Sequence, residues 1–482
     1  MEAMLIINNQ DLPAADGATF ERHDPLTGEL VTRAAAATIG DAKRAADAAA
    51  AAFPSWAAML PSERRLLLLK AADLLAARAG QFADVQMGET GAAASWVVFN
   101  VHLAANMLRE VASFVSQITG ETHPSETPGC LSMTVRRPVG VVLGIAPWNA
   151  PVILATRAIA APLACGNTVI LKASGTSPGT QYLLGCVFRD AGFPPGVVNV
   201  VSNGPGDAGR IGEALIAHAA VRRINFTGST ETGRFIAETA ARYLKPVVLE
   251  LGGKAPLIVL DDADIDEAVN AAAFGAFMYQ GQICMSTERI VVDQSVADEF
   301  VTKLGRKAET LLAGDPRDSK TALGPLIGRE AAAKVDALVK EAVAKGAKLV
   351  AGGRVDGAVM QATVLDHVTP EMRLYHEESF GPVAPVIRAR DVEEAIRIAN
   401  DTVYGLSAAV FGRDVNRALE VARRVESGIC HINGPTVQDE AQIPFGGMKA
   451  SGYGRFGGRA AINEFTELRW ITIETQPHRY PF

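Results

Sequence analysis

The sequence predicts an α/β fold: two doubly wound α/β domains plus a small β element for oligomerisation. Three observations carry this expectation. Between Val139 and Gly253, short β-rich runs at 140–145, 168–171, 197–201, 223–226 and 246–249 alternate with helical stretches. A second alternation runs from 257 to 437, with β-rich runs at 289–292, 348–350, 383–387 and 428–432. The chain then ends in an apolar and aromatic stretch, Leu468, Trp470, Ile471 and Ile473, that belongs to neither alternation.

Taken in order, residues 1–40 read as short strands and turns, with Asp24-Pro25-Leu26-Thr27-Gly28 a turn cluster. From 39 to 118 apolar residues recur three and four apart, as in amphipathic helices, with Asp41 and Ser62 as candidate N-caps. Strand–helix repetition in the next segment implies a parallel sheet, because crossovers between parallel strands are right-handed. Such sheets bind ligands at the carboxyl ends of their strands. An apolar terminal strand calls for a partner, and 133–137 is the candidate. The expected division is 1–117 with 140–251 for the dinucleotide domain, 252–455 for the catalytic domain, and 118–139 with 456–482 for the oligomerisation element.

Bulk properties narrow the function. The chain has 482 residues, 48% hydrophobic and 21% charged, which suits a globular protein with sizeable cores. A net charge of -7 argues against nucleic acid or an anionic membrane as partner. The amino terminus lacks a basic n-region, and no apolar run is long enough to span a bilayer. Five scattered cysteines without C-x-x-C spacing suit a reducing compartment and neither a disulfide framework nor a metal site. A cytoplasmic protein is expected.

Two glycine-rich loops compete for a dinucleotide. Gly204-Pro205-Gly206-Asp207-Ala208-Gly209 fits G-x-G-x-x-G, but the next predicted strand ends at Phe226-Thr227 without the acidic residue that would hold a ribose. Phe226-Thr227-Gly228-Ser229-Thr230-Glu231-Thr232-Gly233 also runs from strand to helix. There, unpaired N–H groups beside Ser229 and Thr230 make a natural anion site, or simply a capped helix. Lys172, ending its strand, either reaches a ribose or phosphate or is a surface lysine.

Cys284 lies where a helical stretch breaks at Gly281, a setting for a nucleophile, although a lone cysteine is more often a small core residue. Glu250 closes an apolar strand, where desolvation would raise its pKa towards that of a general base; a paired structural glutamate is the alternative. Asn149 can donate its side-chain amide beside the backbone N–H of Cys284 to an oxyanion.

Together these segments resemble the aldehyde dehydrogenase superfamily over essentially the whole chain. The matching motifs are Pro147-Trp148-Asn149, Phe226-Thr227-Gly228-Ser229, Glu250-Leu251-Gly252-Gly253-Lys254, Gly281-Gln282-Ile283-Cys284, Glu378-Ser379-Phe380-Gly381-Pro382 and Pro444-Phe445-Gly446-Gly447. The resemblance implies Cys284 as nucleophile, Glu250 as base and Asn149 as oxyanion donor. It implies NAD, with NADP possible, held by Ile145, Pro147, Trp148, Lys172, Phe226, Gly228, Ser229, Thr230, Glu231, Thr232, Gly233, Leu251, Glu378 and Phe380. The pyrophosphate is then expected at 228–233 rather than on the G-x-G-x-x-G loop. A homodimer or homotetramer is implied, with no metal.

One departure bears on the cofactor. NAD-preferring members usually carry a glutamate three residues after the lysine, where this chain has Gly175. Its loss removes a repulsion against a 2′-phosphate, so use of both cofactors with an NAD lean is expected. By family position Trp96, Ala150, Arg157 and Met278 line the substrate tunnel. The pattern is similar to bacterial enzymes that oxidise aromatic hydroxyaldehydes such as salicylaldehyde or vanillin, with Arg157 meeting a ring hydroxyl or phenolate or forming a salt bridge. A succinic-semialdehyde type and a non-catalytic binding protein are the alternatives.

Overall fold

In a computed structural model of the chain, residues 1–477 and 480–482 are described; His478 and Arg479, within the expected 456–482 element, lie outside the described residues. Two mixed sheets with parallel cores organise the molecule. The first has eight strands, ordered Gly452–Tyr453, Val247–Glu250, Val221–Thr227, Val141–Ile145, Thr168–Lys172, Val198–Val201, Leu5–Ile7 and Gln10–Leu12. Its five middle strands are parallel, and helices cover both faces. Val141–Ile145 and Thr168–Lys172 are therefore buried at every position, as continuous β-rich runs require.

Strand order reverses beside Val141–Ile145: later strands add on one side, then on the other. A crevice opens at such a switch point because the loops on its two sides lead to opposite faces. Register brings Lys172 opposite Ile145, Ile145 opposite Phe226, and Thr227 opposite Glu250.

The second sheet has seven strands, ordered Lys348–Ala351, Thr363–Asp366, Val383–Ala389, Thr287–Asp293, Ala255–Val259, Ser407–Phe411 and Ile429–Ile432; all but the first run parallel. The chain leaves the carboxyl edge of the first sheet at Glu250 and enters the amino edge of the second at Ala255. Cys284 and Phe380 likewise precede the amino edges of Thr287–Asp293 and Val383–Ala389. Strand ends of one sheet thus face strand starts of the other.

The apolar tail finds its partner. Thr466–Glu474 pairs antiparallel with Cys130–Pro138, with Ile471 opposite Met133 and Glu467 opposite Arg137, and Glu121–His123 completes a three-stranded sheet. Before that strand lies a helix, Gly458–Phe465, that the tail's apolar pattern did not announce; it buries Ala461, Ile462 and Phe465 on one face.

Two predicted caps are corrected. The helix Ile39–Ala58 is capped by Thr38, and Asp41 is the third helical residue, its carboxylate accepting the Thr38 and Ala15 N–H groups. Helix Pro61–Ala77 begins before Ser62, because the fixed φ of Pro61 suits the first helical position and Glu63 reaches back to the Leu60 N–H. Among the described residues, no helix is long and apolar enough to cross a membrane.

Candidate active site

Cys284 sits on an irregular turn that backbone strain helps to define. Helix Ile265–Phe277 ends in a tight turn, Met278–Gly281, where Tyr279 and Gln280 adopt φ of 48° and 55°, in the left-handed region that disfavours side chains. The turn is held from outside: Gln280 donates to the carbonyls of Gly91 and Pro325, and the Gln282 side-chain oxygen accepts the Ile327 N–H at 2.9 Å. Thr436 donates to the Met285 carbonyl at 2.8 Å. A half-buried thiol results.

Glu250 reaches the same point from the other sheet. Close approach is possible because Gly253 has no side chain; a Cβ there would stand 2.4 Å from the Cys284 carbonyl oxygen. Both Glu250 carboxylate oxygens are buried. Burial, partly offset by the neighbouring Cys284 thiol and by Arg157, raises its pKa to about 7. Burial and the neighbouring Glu250 charge hold the Cys284 thiol well above its ordinary value. A protonated thiol thus faces a carboxylate poised near neutrality.

Asn149 follows the strand Val141–Ile145 and donates its side-chain amide to the Gln282 carbonyl at 3.0 Å, two residues from Cys284. A side-chain amide has two N–H donors, so one remains for an oxyanion. Trp96 donates its indole N–H to the Asn149 carbonyl at 3.3 Å and stacks on Tyr279, with ring centroids 5.2 Å apart. The three residues expected to act together are brought together.

Cys284 borders two separate spaces. On one side, Cys284, Glu250, Asn149, Trp148, Glu378 and Phe380 border a cavity of about 290 Å³. This space shares Pro147, Trp148, Thr227, Gly228 and Ser229 with a cleft of about 360 Å³ over the switch point. Ile145, Lys172, Phe226 and Thr232 also line that cleft. Ser229 caps helix Thr230–Arg242 by accepting the Thr232 N–H.

The other expected dinucleotide residues lie off these walls. Thr230 donates to the Ala450 carbonyl at 3.0 Å, and Glu231 is exposed on the first helical turn. Gly233 and Leu251 pack on each other; a Cβ on Gly233 would stand 2.4 Å from a Leu251 methyl. Their glycine and leucine close the helix onto the sheet. The G-x-G-x-x-G loop is not remote from the cleft either: its Ala208 and Gly209, with the flanking Asn203 and Gly212, also line it.

The cleft fits a dinucleotide on its own chemistry. Lys172, which by sequence alone reads more readily as a surface lysine, is 7% exposed, and burial brings its pKa down to about 8. Among the described residues its ammonium has no ion-pair partner, which suits phosphate or ribose oxygens. Gly175 lies in the same wall, and an added Cβ would come no nearer than 3.5 Å to any atom. Glu378 accepts the Gly253 N–H at 2.9 Å, and burial raises its pKa to about 7. Phe380, at φ 50°, meets Trp148 edge to face at 5.9 Å. Lys334, which no sequence signal singled out, completes this wall from helix Arg329–Ala344.

The second space beside Cys284 is an apolar cavity of about 230 Å³, lined by all four expected pocket residues, Trp96, Ala150, Arg157 and Met278. Phe99, Phe274 and Phe445 add aromatic walls. Arg157 is not free to meet a ligand as a lone cation. It forms an ion pair with Asp439 and lies over the Phe445 ring, 4.2 Å from the centroid. The salt-bridge alternative holds, with a partner 282 positions away that no local pattern discloses.

Known proteins agree with this architecture. Residues 13–471 match the Aldehyde dehydrogenase family. The chain is 61% identical to a vanillin dehydrogenase of Pseudomonas fluorescens, over 100% of both chains. It superposes on the crystal structure of a salicylaldehyde dehydrogenase from Pseudomonas putida G7 complexed with salicylaldehyde with a TM-score of 0.98, at 53% identity and 100% coverage of both. An NAD-dependent aldehyde dehydrogenase from Sinorhizobium meliloti gives a TM-score of 0.96 at 33% identity, covering 100% of this chain and 97% of that one. The chain belongs to the aldehyde dehydrogenase family and is an enzyme that oxidises an aldehyde with a nicotinamide dinucleotide.

Proposed function

We propose that the enzyme converts an aromatic hydroxyaldehyde, of the salicylaldehyde or vanillin kind, to its carboxylic acid. The observation that carries this reading is the apolar, aromatic-walled cavity ending at Cys284. Flat rings gain from such walls through area burial and edge or face contacts. The names of the relatives reported above support the same class. A succinic-semialdehyde type would need a free cation for the substrate carboxylate, and Arg157 is already paired.

In this reading Glu250 takes the Cys284 proton, and the thiolate adds to the aldehyde carbon to give a thiohemiacetal. The second Asn149 amide proton and the Cys284 backbone N–H hold the oxyanion. A dinucleotide held in the cleft would supply the hydride acceptor that oxidation to a thioester requires. Glu250, once it has passed that first proton to solvent, draws a proton from water as the water attacks the thioester, and returns it to the departing thiolate as the acid is released.

Lys172 and Ser229 would hold the dinucleotide at its ribose or phosphates, with Glu378 and Phe380 at the nicotinamide end. Without a carboxylate at Gly175, both NAD and NADP are accepted with a lean to NAD. The proposed organisation is 1–117 with 140–251 binding the dinucleotide, 252–455 carrying catalysis, and 118–139 with 456–482 joining subunits of a cytoplasmic homodimer or homotetramer. A panel of aromatic and straight-chain aldehydes, each with both cofactors, tests the reading. Higher kcat/KM on straight-chain substrates would overturn the substrate class. A cofactor preference beyond about a hundredfold, roughly 2.7 kcal/mol, would overturn dual use.

A further inference from the structure

The Arg157–Asp439 pair closes the substrate cavity with a charged group that the reaction itself does not use. One Asp439 oxygen, Oδ2, is committed to Arg157. The other, Oδ1, is buried and has no hydrogen-bond partner among the described residues. The Asp439 side chain is 11% exposed and that of Arg157 6%. A desolvated carboxylate oxygen lacking a donor is costly, and a ligand bringing an O–H to it relieves that cost. The rest of the cavity is nearly all apolar, apart from Asn149, Gln438 and the thiol.

We infer that Asp439 is a specificity-determining residue: it accepts the ring hydroxyl of the aldehyde substrate and selects the neutral phenol over the phenolate. This rests on the aromatic-hydroxyaldehyde reading above. Pairing makes the two side chains together neutral, so the cavity offers no net cation to a phenolate. A phenolate has no proton to give Oδ1 and would stand against a carboxylate already held by its own arginine. The neutral phenol donates one hydrogen bond to a charged acceptor. Arg157, fixed by Phe445 beneath it, acts as a positioning residue that holds the carboxylate.

Other ionisable groups face this pair. Glu250 and Cys284 feel Arg157 across the cavity, and Glu250 also feels Asp439. Glu440 borders the small space behind Arg157. Their titration acts on hydroxylated and unsubstituted aldehydes alike, so it cancels in a ratio of the two.

The test is the ratio of kcat/KM for a hydroxybenzaldehyde to that for benzaldehyde. In Asp439→Asn this ratio should fall about tenfold at a pH below the phenol's own pKa. Equal losses on both aldehydes would overturn the inference. In the unmodified enzyme, which removes any question of folding, the ratio should decline as pH rises through the phenol's pKa. A flat or rising ratio would also overturn it. In Asp439→Asn the freed Arg157 should reverse that slope, favouring phenolate. A wild-type enzyme inactive on every aromatic aldehyde would instead sink the substrate class itself, an outcome distinct from activity with an unchanged ratio.

Discussion

Glu250 shows how one residue's surroundings set its chemistry. Nothing about a glutamate after Val-Val-Leu makes it a base; removal from water does, by raising its pKa to about 7. Activity limited by this group should therefore rise with pH through about 7, as the carboxylate form appears, and a kcat/KM profile flat across that range would refute the assignment. Glu250→Gln should suppress acylation of Cys284 and acid release alike near neutral pH, with mass spectrometry showing the unmodified chain after mixing with aldehyde and cofactor; full acylation would refute Glu250 as the group that takes the thiol proton.

The same shift bears on stability. A carboxyl with a raised folded-state pKa binds its proton more tightly folded than unfolded, so its contribution is lost as pH climbs from the unfolded value through about 7. Above that, the ionised group costs the native state up to about 3 kcal/mol. Glu250→Gln should consequently raise Tm relative to wild type at pH 8 and much less at pH 5. An equal change at both pH values would mean that burial does not set this pKa.

At the scale of elements, loops rather than strands carry the site, and buried polar anchors hold those loops. Lys254 pairs with Glu288 at 2.7 Å, and Glu288 accepts the N–H groups of Ser379 and Phe380 at 3.1 and 2.9 Å. One carboxylate thus keeps Phe380 in its left-handed conformation against Trp148. Removing it leaves Lys254 as an unpaired buried charge, a change that costs about 3–5 kcal/mol. Glu288→Gln should lower Tm and raise KM for the dinucleotide more than KM for the aldehyde. Equal changes in the two KM values would assign Glu288 to the general scaffold.

At the scale of the molecule, the outer sheet leaves apolar groups on view. Trp470 is 71% exposed and Leu468 60%, on a strand whose only neighbour in its sheet, among the described residues, is Cys130–Pro138. If this sheet joins subunits, as proposed, a Leu468→Glu, Trp470→Glu double variant should lower the oligomer order in native mass spectrometry. A wild-type chain that is monomeric at micromolar concentration would remove the proposal.

Local pattern explains which parts were legible without coordinates. The two strand–helix alternations, their crossover topology and the tail strand follow from periodicity and turn chemistry, which act over a few positions; helix Gly458–Phe465 left no such trace, and the joint roles of Cys284, Glu250 and Asn149 came from the resemblance of six motifs to a known family. Local chain chemistry thus specifies most elements, their order and the reactive groups. Tertiary structure alone decided that Lys172 is buried, that Thr230 turns to Ala450 and Gly233 to Leu251, and that Arg157 meets Asp439. The physical reason is range: burial and ion pairing depend on which distant segments the two sheets press together, and no local spacing records that choice.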